Sequence, residues 1–357
     1  MQIATTRGFP RSARWALTRP GRLGLVLLLL LTVFAPAAAP IARALGPAVA
    51  ALAPAGAPAT VPLPPTLPWT IADAAAGLTN SHAASLAEAA QYRNQTAWVP
   101  STWLPGHLFV VYYGNPYSTQ MGILGVGTTD QMLAKLQEQT DAYRSLTTLP
   151  VQPALDLVAT VAQGSPQPDG TYRLRMPASL LDSEAAIAES NHMPLFLDVQ
   201  VAHSTVQAEV KALAPYLQRP YVELGLDPEF DMLPGEMPGK YFGTMSATDI
   251  NWTINYLSQM VSDYHLPQKV LIVHQFTATM LPTWADIKGA PGVALVLDMD
   301  GFGGQGIKTA NYGLFVRDQN MAGRFGGIKL FYTQDNPLFT PAEVMQLQPT
   351  PSLVMYQ

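Results

Sequence analysis

The sequence predicts an α/β protein built as a single (β/α)8 TIM barrel. From His107 onward, short runs rich in Val, Ile, Leu and aromatic residues alternate with helical stretches, a pattern typical of βα units around parallel strands. Eight such runs fall within about 250 residues, which is the strand content and length of one barrel. A doubly wound open sheet is the main alternative, but it usually needs fewer strands and leaves the eighth run without a place.

The predicted elements follow one another in chain order. The strand candidates are Leu108–Tyr113, Leu155–Val161, Leu195–Val201, Tyr221–Leu226, Val270–Gln275, Val293–Met299, Ile328–Thr333 and Leu353–Tyr356. The helix candidates between them are Thr129–Leu146, Ser183–Glu189, Thr205–Leu217, Ala247–Tyr264 and Pro341–Leu347. Residues 107–357 therefore form the predicted barrel.

Residues 1–44 have the pattern of a secretory signal. Five arginines and no acid occupy the first 22 residues, and an apolar run and small residues with A-x-A spacing follow. The apolar run reaches about 17 residues before prolines accumulate, which is short of the roughly 20 that span a bilayer. This length favours a cleaved signal peptide over a membrane anchor at residues 23–39. Both alternatives predict a secreted or extracytoplasmic protein, tethered to the membrane if the segment stays.

Two further regions precede the barrel. Residues 45–69 are rich in Ala and Pro, and the prolines favour an extended, semi-rigid linker over a continuous helix. Residues 70–106 are predicted to be an N-terminal extension that packs on the barrel, with Trp98 and Trp103 covering one of its ends.

The composition excludes several classes of function. The chain has no cysteine, which excludes disulfides, thiolate nucleophiles and zinc–thiolate sites. The net charge of -5 argues against a nucleic-acid partner, which needs a basic surface. Neither a G-x-S-x-G elbow nor a P-loop occurs. We expect a monomer that needs no cofactor or metal.

Acidic residues recur on one side of three predicted strands. Successive side chains of a strand point to opposite faces of the sheet, so every second residue shares one face. In the fourth strand Val222, Leu224 and Leu226 pack outward, and the acids face the barrel axis. The axis-facing polar residues are Asp198 and Gln200 of the third strand, Glu223, Asp227 and Glu229 of the fourth, and Asp298 and Asp300 of the sixth. A single acid of this kind can be a helix cap or a hydrogen-bonded polar group of the interior. Acids on three strands that face the same axis predict an active site at the carboxyl face.

Clustered carboxylates raise one another's pKa, so that one stays protonated beside an ionised partner. Glycosidic cleavage uses this division between an acid and a second carboxylate. We predict Glu229 as the acid/base and Asp227 as its pKa partner or as a residue that orients the substrate. The second catalytic carboxylate is Asp298 or Asp300. Polar and aromatic residues near other strand ends are predicted to bind the sugar: Asp198, Gln200, Tyr113, Asn115, His274, Gln275, Tyr332 and Tyr356.

The segment Leu224-Gly-Leu-Asp-Pro-Glu-Phe230 resembles the Asp-x-Glu end of the fourth strand in family 18 chitinase-type and family 25 lysozyme-type barrels. The runs Leu297–Asp300 and Val354–Gln357 are similar to the sixth and eighth strands of those barrels. The resemblance implies that Glu229 is the general acid and that Asp227 assists it. The sequence thus predicts an exported glycoside hydrolase that cleaves O-glycosidic bonds of an extracellular or cell-envelope polysaccharide.

Two other functions remain open. A non-catalytic carbohydrate-binding barrel at the cell surface would keep the groove and the aromatic residues without a correctly spaced acid pair. A metal-dependent hydrolase could use histidines at strand ends together with the acids. Its candidate ligands are His203, His274, Asp198, Asp227 and Asp300.

The run Gly301-Phe-Gly-Gly-Gln-Gly306 matches the G-x-G-x-x-G pattern of dinucleotide-binding proteins and follows a strand. Asp298 and Asp300 directly before it would repel a pyrophosphate. We therefore interpret the run as a glycine-rich loop over the mouth of the barrel.

Overall fold

A computed structural model describes residues 96–316 and 324–357, and eight parallel strands in this part of the chain close into a barrel with helices between them. The predicted (β/α)8 fold is confirmed. The predicted signal or anchor segment, the linker and residues 70–95 of the predicted extension lie outside the described residues. Within the two described ranges, no helix is both long and apolar enough to cross a membrane.

The barrel closes because β1 pairs with both β2 and β9. Its strands are β1 Leu108–Gly114, β2 Val151–Ala162, β4 Leu195–Val199, β5 Val222–Leu226, β6 Lys269–Gln275, β7 Val293–Met299, β8 Arg324–Leu330 and β9 Leu353–Tyr356. A further short strand, β3 Arg173–Arg175, pairs antiparallel with the end of β2 and was not predicted. β8 lies earlier than its predicted range of Ile328–Thr333, and the last three residues of that range belong to the following loop.

The helices are α1 Thr129–Arg144, α2 Ala178–Ser190, α3 Val206–Ala212, α4 Ala214–Leu217, α5 Ala247–Tyr264, α6 Gln305–Phe315 and α7 Pro341–Val344. The predicted helix over Thr205–Leu217 is divided at Leu213, because Pro215 lacks an N–H for a continuous helix. The glycine-rich run was predicted to be a loop. It is a loop up to Gly304, but its last two residues belong to α6, which begins at Gln305.

Side-chain caps fix where several helices begin. The Thr128 hydroxyl accepts a hydrogen bond from the Gln131 backbone N–H, and the Gln131 side chain accepts one from the Thr128 N–H. This reciprocal pair is a capping box, which satisfies two backbone donors at the start of α1. Ser246 caps α5 by accepting from the Asp249 N–H. These caps fix the residue at which each strand-end loop passes into a helix. The strand-end loops surround the carboxyl end of the barrel.

The barrel interior is largely apolar at its amino end, where the buried Glu223 accepts a hydrogen bond from the Val270 N–H. The rings of Phe109 and Phe196 meet edge to face with their centroids 5.9 Å apart. Trp103 packs on Phe109 at 5.5 Å and is buried, as is Leu104, whose N–H donates to the Gln268 side chain. Trp103 and Leu104 therefore cover the amino end of the barrel.

Two interior glycines make room for carboxylates on neighbouring strands. Gly225 of β5 is the register partner of Asp198 on β4, and Gly327 of β8 is the partner of Asp298 on β7. A Cβ atom at either glycine would lie 2.6 Å from an Oδ1 atom of that aspartate. Each aspartate thus occupies the space that a side chain on the next strand would fill.

Gly225→Ala is expected to destabilise the fold by about 1–3 kcal/mol, because its added methyl group collides with the Asp198 carboxylate. Gly313→Ala is the control, since nothing lies within 4 Å of a Cβ there and α6 gains helix propensity of about 0.4–1 kcal/mol. Urea unfolding of both variants measures the difference. Equal stability of the two variants would show that the glycine does not make room for Asp198.

Candidate active site

A cavity of about 340 Å³ opens at the carboxyl end of the barrel. Its aromatic lining residues are Tyr113, Phe230, Tyr241, Phe242, Phe276, Phe302 and Phe331. Its charged and amide lining residues are Gln200, Glu229, Asp300, Asn311, Lys329, Gln334 and Gln357. We call this cavity the mouth pocket. An apolar concave site with a few convergent polar groups is the usual form of a small-molecule site.

Glu229 reaches the mouth pocket because β5 is followed at once by a single 3₁₀ turn, Pro228–Phe230. The backbone of this turn is held on both sides. The Phe230 carbonyl accepts from the Ala202 N–H at 2.6 Å, and the Glu229 carbonyl accepts from the Gly243 N–H at 2.6 Å. The Glu229 side chain is buried, and its Oε2 has no hydrogen-bond partner. Burial, and after it the charges of Asp227 and Asp300, raise the pKa of Glu229 well above its usual value.

A layer of buried charged groups lies across the barrel axis. It comprises the acids Asp156, Asp198, Asp227, Glu229, Asp298 and Asp300 together with His274 and Lys329. We call it the acidic layer. Acids outnumber cations, and burial is the largest cause of the raised carboxyl pKa values. The pKa is about 7 for Asp156, about 6 for Asp198 and about 7 for Asp227.

Lys329 lies between the acids and the aromatic lining. Its Nζ is 3.2 Å from Asp300 Oδ2 and 3.4 Å from the centroid of the Tyr113 ring. Burial alone would lower the pKa of Lys329, but the Asp300, Asp227 and Asp198 carboxylates raise it above its ordinary value. Lys329 therefore stays charged, and its charge opposes the rise that burial causes in the pKa of Asp300.

His274 of β6 lies at the centre of the layer and is fully buried. Its Nδ1 is 3.1 Å from Asp298 Oδ2. Its Nε2 faces Asp198 Oδ2 at 3.6 Å and Asp227 Oδ1 at 3.9 Å. Burial lowers the pKa of His274, but the Asp198 and Asp227 charges and the hydrogen bond to Asp298 raise it well above its ordinary value.

The structure brings eight of the predicted site residues together. Tyr113, Gln200, Glu229 and Asp300 line the mouth pocket. The other four belong to the acidic layer beneath it: Asp198, Asp227, His274 and Asp298.

Four predicted sugar-binding residues lie elsewhere. Asn115 is buried and donates to the Val158 carbonyl, and Gln275 donates to the Thr277 carbonyl. The Tyr356 hydroxyl is 2.7 Å from that of Tyr143 on α1, so its ring lies outside the barrel wall. Tyr332 stacks on Tyr356 with centroids 5.3 Å apart.

His203, the other histidine named as a candidate metal ligand, contacts the Glu236 carbonyl with its Nε2 at 2.6 Å. It does not belong to the acidic layer. Its ring packs on that of Tyr172.

Sequence reasoning missed two members of the acidic layer. Asp156 lies inside the second strand candidate, and Lys329 lies in the seventh. The alternation that placed Asp198 on the axis side also places these two residues there. The aromatic lining apart from Tyr113 was missed for another reason. Most of these residues follow strands or lie in long loops, where no periodicity fixes the direction of a side chain.

Asp156→Asn tests the charge balance of the layer. A pKa of about 7 in the folded state, above the unfolded value, means that the stabilising effect of the Asp156 proton is present below about pH 4 and is lost as the pH rises through 7. The neutral amide does not lose this stability. We expect the variant to match the wild type at pH 4.5 and to be about 2–4 kcal/mol more stable at pH 8.

Urea unfolding at the two pH values, in buffer with a chelator, measures this difference. Asp141→Asn on the exposed side of α1 is the control and should change little at either pH. A constant difference between Asp156→Asn and the wild type from pH 4.5 to 8 would contradict the raised pKa.

No protein-family model matches this chain, and no curated protein matches it. Function is therefore inferred from the geometry of the mouth pocket and the acidic layer.

Proposed function

We propose that the protein hydrolyses O-glycosidic bonds of an extracellular or cell-envelope polysaccharide, with Glu229 as the general acid/base and Asp300 as the second carboxylate. One observation carries the proposal. Two carboxyl groups face the same aromatic-lined pocket at the carboxyl end of the barrel, and their nearest oxygens lie within 4.8 Å of each other. Asp298, the other candidate for the second carboxylate, does not line the pocket and instead pairs with His274.

The two carboxyl groups have different environments, which supports different roles. Glu229 is favoured in its protonated form and can donate the proton to the leaving oxygen as the C–O bond breaks. Asp300 is paired through Oδ2 with Lys329, and its Oδ1 has no hydrogen-bond partner. That oxygen can form a bond to the anomeric carbon. Water then attacks the anomeric carbon of the glycosyl-enzyme and gives its proton to Glu229, and the bond to Asp300 breaks to return its carboxylate.

The separation of the carboxyl groups supports a retaining reaction. Retaining enzymes place their two carboxyl groups about 5–5.5 Å apart, whereas inverting enzymes leave about 6.5–9.5 Å for a water molecule. One oxygen of Glu229 lies within 4.8 Å of one oxygen of Asp300, and so short a gap suits the first arrangement. The aromatic rings suit the C–H faces of sugar rings, and the amides of Gln200, Gln334 and Gln357 suit sugar hydroxyls.

The test is a panel of polysaccharides, including chitin, peptidoglycan, xylan and α-glucan, incubated with the full-length protein. Release of reducing ends, with the anomeric configuration of the first product retained by NMR, is the expected result. Binding without release on every member would instead favour the non-catalytic carbohydrate-binding barrel. If the protein neither bound nor hydrolysed any member of the panel, a carbohydrate function would be contradicted.

A further inference from the structure

Three unpaired atoms face one another beneath the mouth pocket, from β4, from the residue that directly follows β5, and from β6. They are Asp198 Oδ2, Asp227 Oδ1 and His274 Nε2, and the two oxygens lie 3.6 and 3.9 Å from the nitrogen. The three residues can each offer one ligand atom within 4.8 Å of the others. Each residue is at most 1% exposed, and none of the three atoms has a hydrogen-bond partner. Buried polar atoms are almost always paired, so three that converge on one point indicate an occupant.

The rest of each side chain is held in place. Asp198 Oδ1 accepts from the Val199 N–H at 3.0 Å. Asp227 Oδ2 accepts from Gln200 Nε2 at 3.0 Å and from the Tyr113 hydroxyl at 3.4 Å. One oxygen of each carboxylate is thus used to fix its orientation, and the other is directed at His274.

His274 has the partner that metal-binding histidines usually have. Its Nδ1 is within hydrogen-bond distance of Asp298 Oδ2 at 3.1 Å. A carboxylate that accepts from one ring nitrogen fixes the tautomer and leaves the other nitrogen free as a ligand. Gly327 leaves the space in which Asp298 reaches this position.

We propose that Asp198, Asp227 and His274 bind one divalent first-row cation, Zn²⁺ or Mn²⁺. Imidazole suits zinc, and carboxylates suit manganese, whereas Ca²⁺ takes six to eight oxygens. Two ionised carboxylates balance the charge of the cation. The other charged groups in the layer are the acids Asp156, Glu229, Asp298 and Asp300 and the cation Lys329, so acids still predominate around the site.

The alternative occupant is a proton on Nε2. A protonated imidazole normally draws a carboxylate oxygen to about 2.7–2.9 Å. Here the two oxygens stand at 3.6 and 3.9 Å, which leaves both without a hydrogen bond. Two carboxylates at similar distances from one nitrogen suit a shared cation better than a shared proton.

The experiment uses the full-length protein, stripped with EDTA, dialysed and titrated with ZnCl₂ or MnCl₂ by calorimetry. We expect one ion per chain for at least one of the two metals. Asp198→Asn and His274→Gln should each lower the affinity at least about tenfold, and Asp298→Asn, which touches no ion, about 10–100-fold. His203→Gln is the matched histidine control and should bind as the wild type does.

Absence of binding by the wild type with both metals at about 0.1 mM would overturn the proposal. Wild-type affinity in both Asp198→Asn and His274→Gln would do the same. Zinc-edge X-ray absorption of the wild-type protein is a measurement that needs no variant, and it should show one imidazole among oxygen ligands. All these readouts are made without substrate, so a failure to hydrolyse any glycan would leave the site standing.

Discussion

Glu229→Gln is expected to lower kcat/KM on the polysaccharide substrate about 10²–10⁴-fold, the usual contribution of a positioned general acid. The amide occupies the volume of the protonated acid and has no proton to give to the leaving oxygen. Glu229 Oε2 makes no hydrogen bond that the substitution would break, so the fold and KM should change little. Initial rates of reducing-end release measure the effect.

A second substrate shows whether proton donation is the function that is lost. An aryl glycoside with a dinitrophenolate leaving group needs no proton, so Glu229→Gln should lose much less of its bond-cleavage rate on it than on the polysaccharide. Equal losses on both substrates would contradict the role as general acid. Glu236→Gln is the control on the same loop, since its carboxylate accepts from the Leu233 N–H and does not line the mouth pocket.

The barrel could be predicted because the physics that builds it is local. Each parallel strand is covered on its outer face by helices, so it has the sequence of a short apolar run, and eight such runs in about 250 residues match one (β/α)8 barrel. The same alternation places Asp198, Asp227 and Asp298 on the axis side. Gly225 and Gly327 leave the space that Asp198 and Asp298 need. This role can be recognised only once the register between the strands is known.

Register also explains why Tyr356, which was predicted to bind the sugar, lies outside the mouth pocket. Tyr356 is the register partner of Tyr112 on β1, and both rings face outward toward α1. A strand of four residues has too few side chains for its inward face to be identified from alternation alone. Gln357, the next residue, lines the mouth pocket.

The last part that sequence could not supply is the balance of charge inside the barrel. Asp156 and Lys329 lie more than 170 positions apart, and only closure of the barrel brings them into one electrostatic environment. A count of acids along the chain therefore misses the cation that makes their burial tolerable. Substitution of this cation, Lys329, should therefore have the largest effect on the stability of the protein.

Lys329→Met is expected to lower the free energy of unfolding by about 3–5 kcal/mol at pH 8, the cost of leaving buried charge without its partner. The methionine keeps the length of the side chain against the Tyr113 ring but removes the charge beside Asp300. The loss should shrink at pH 5. There Asp156, Asp198 and Asp227, with pKa values of about 7, 6 and 7, are largely protonated and need less compensation.

Urea unfolding followed by tryptophan fluorescence at the two pH values, in buffer with a chelator, measures this change. Lys308→Met is the matched control, because Lys308 is also buried but pairs through Nζ with Asp335 at 2.9 Å and lies outside the acidic layer. Its loss should vary less with pH. A loss for Lys329→Met that is the same at pH 5 and pH 8 would mean that Lys329 contributes packing alone, and that protons already neutralise the acids around it at both pH values.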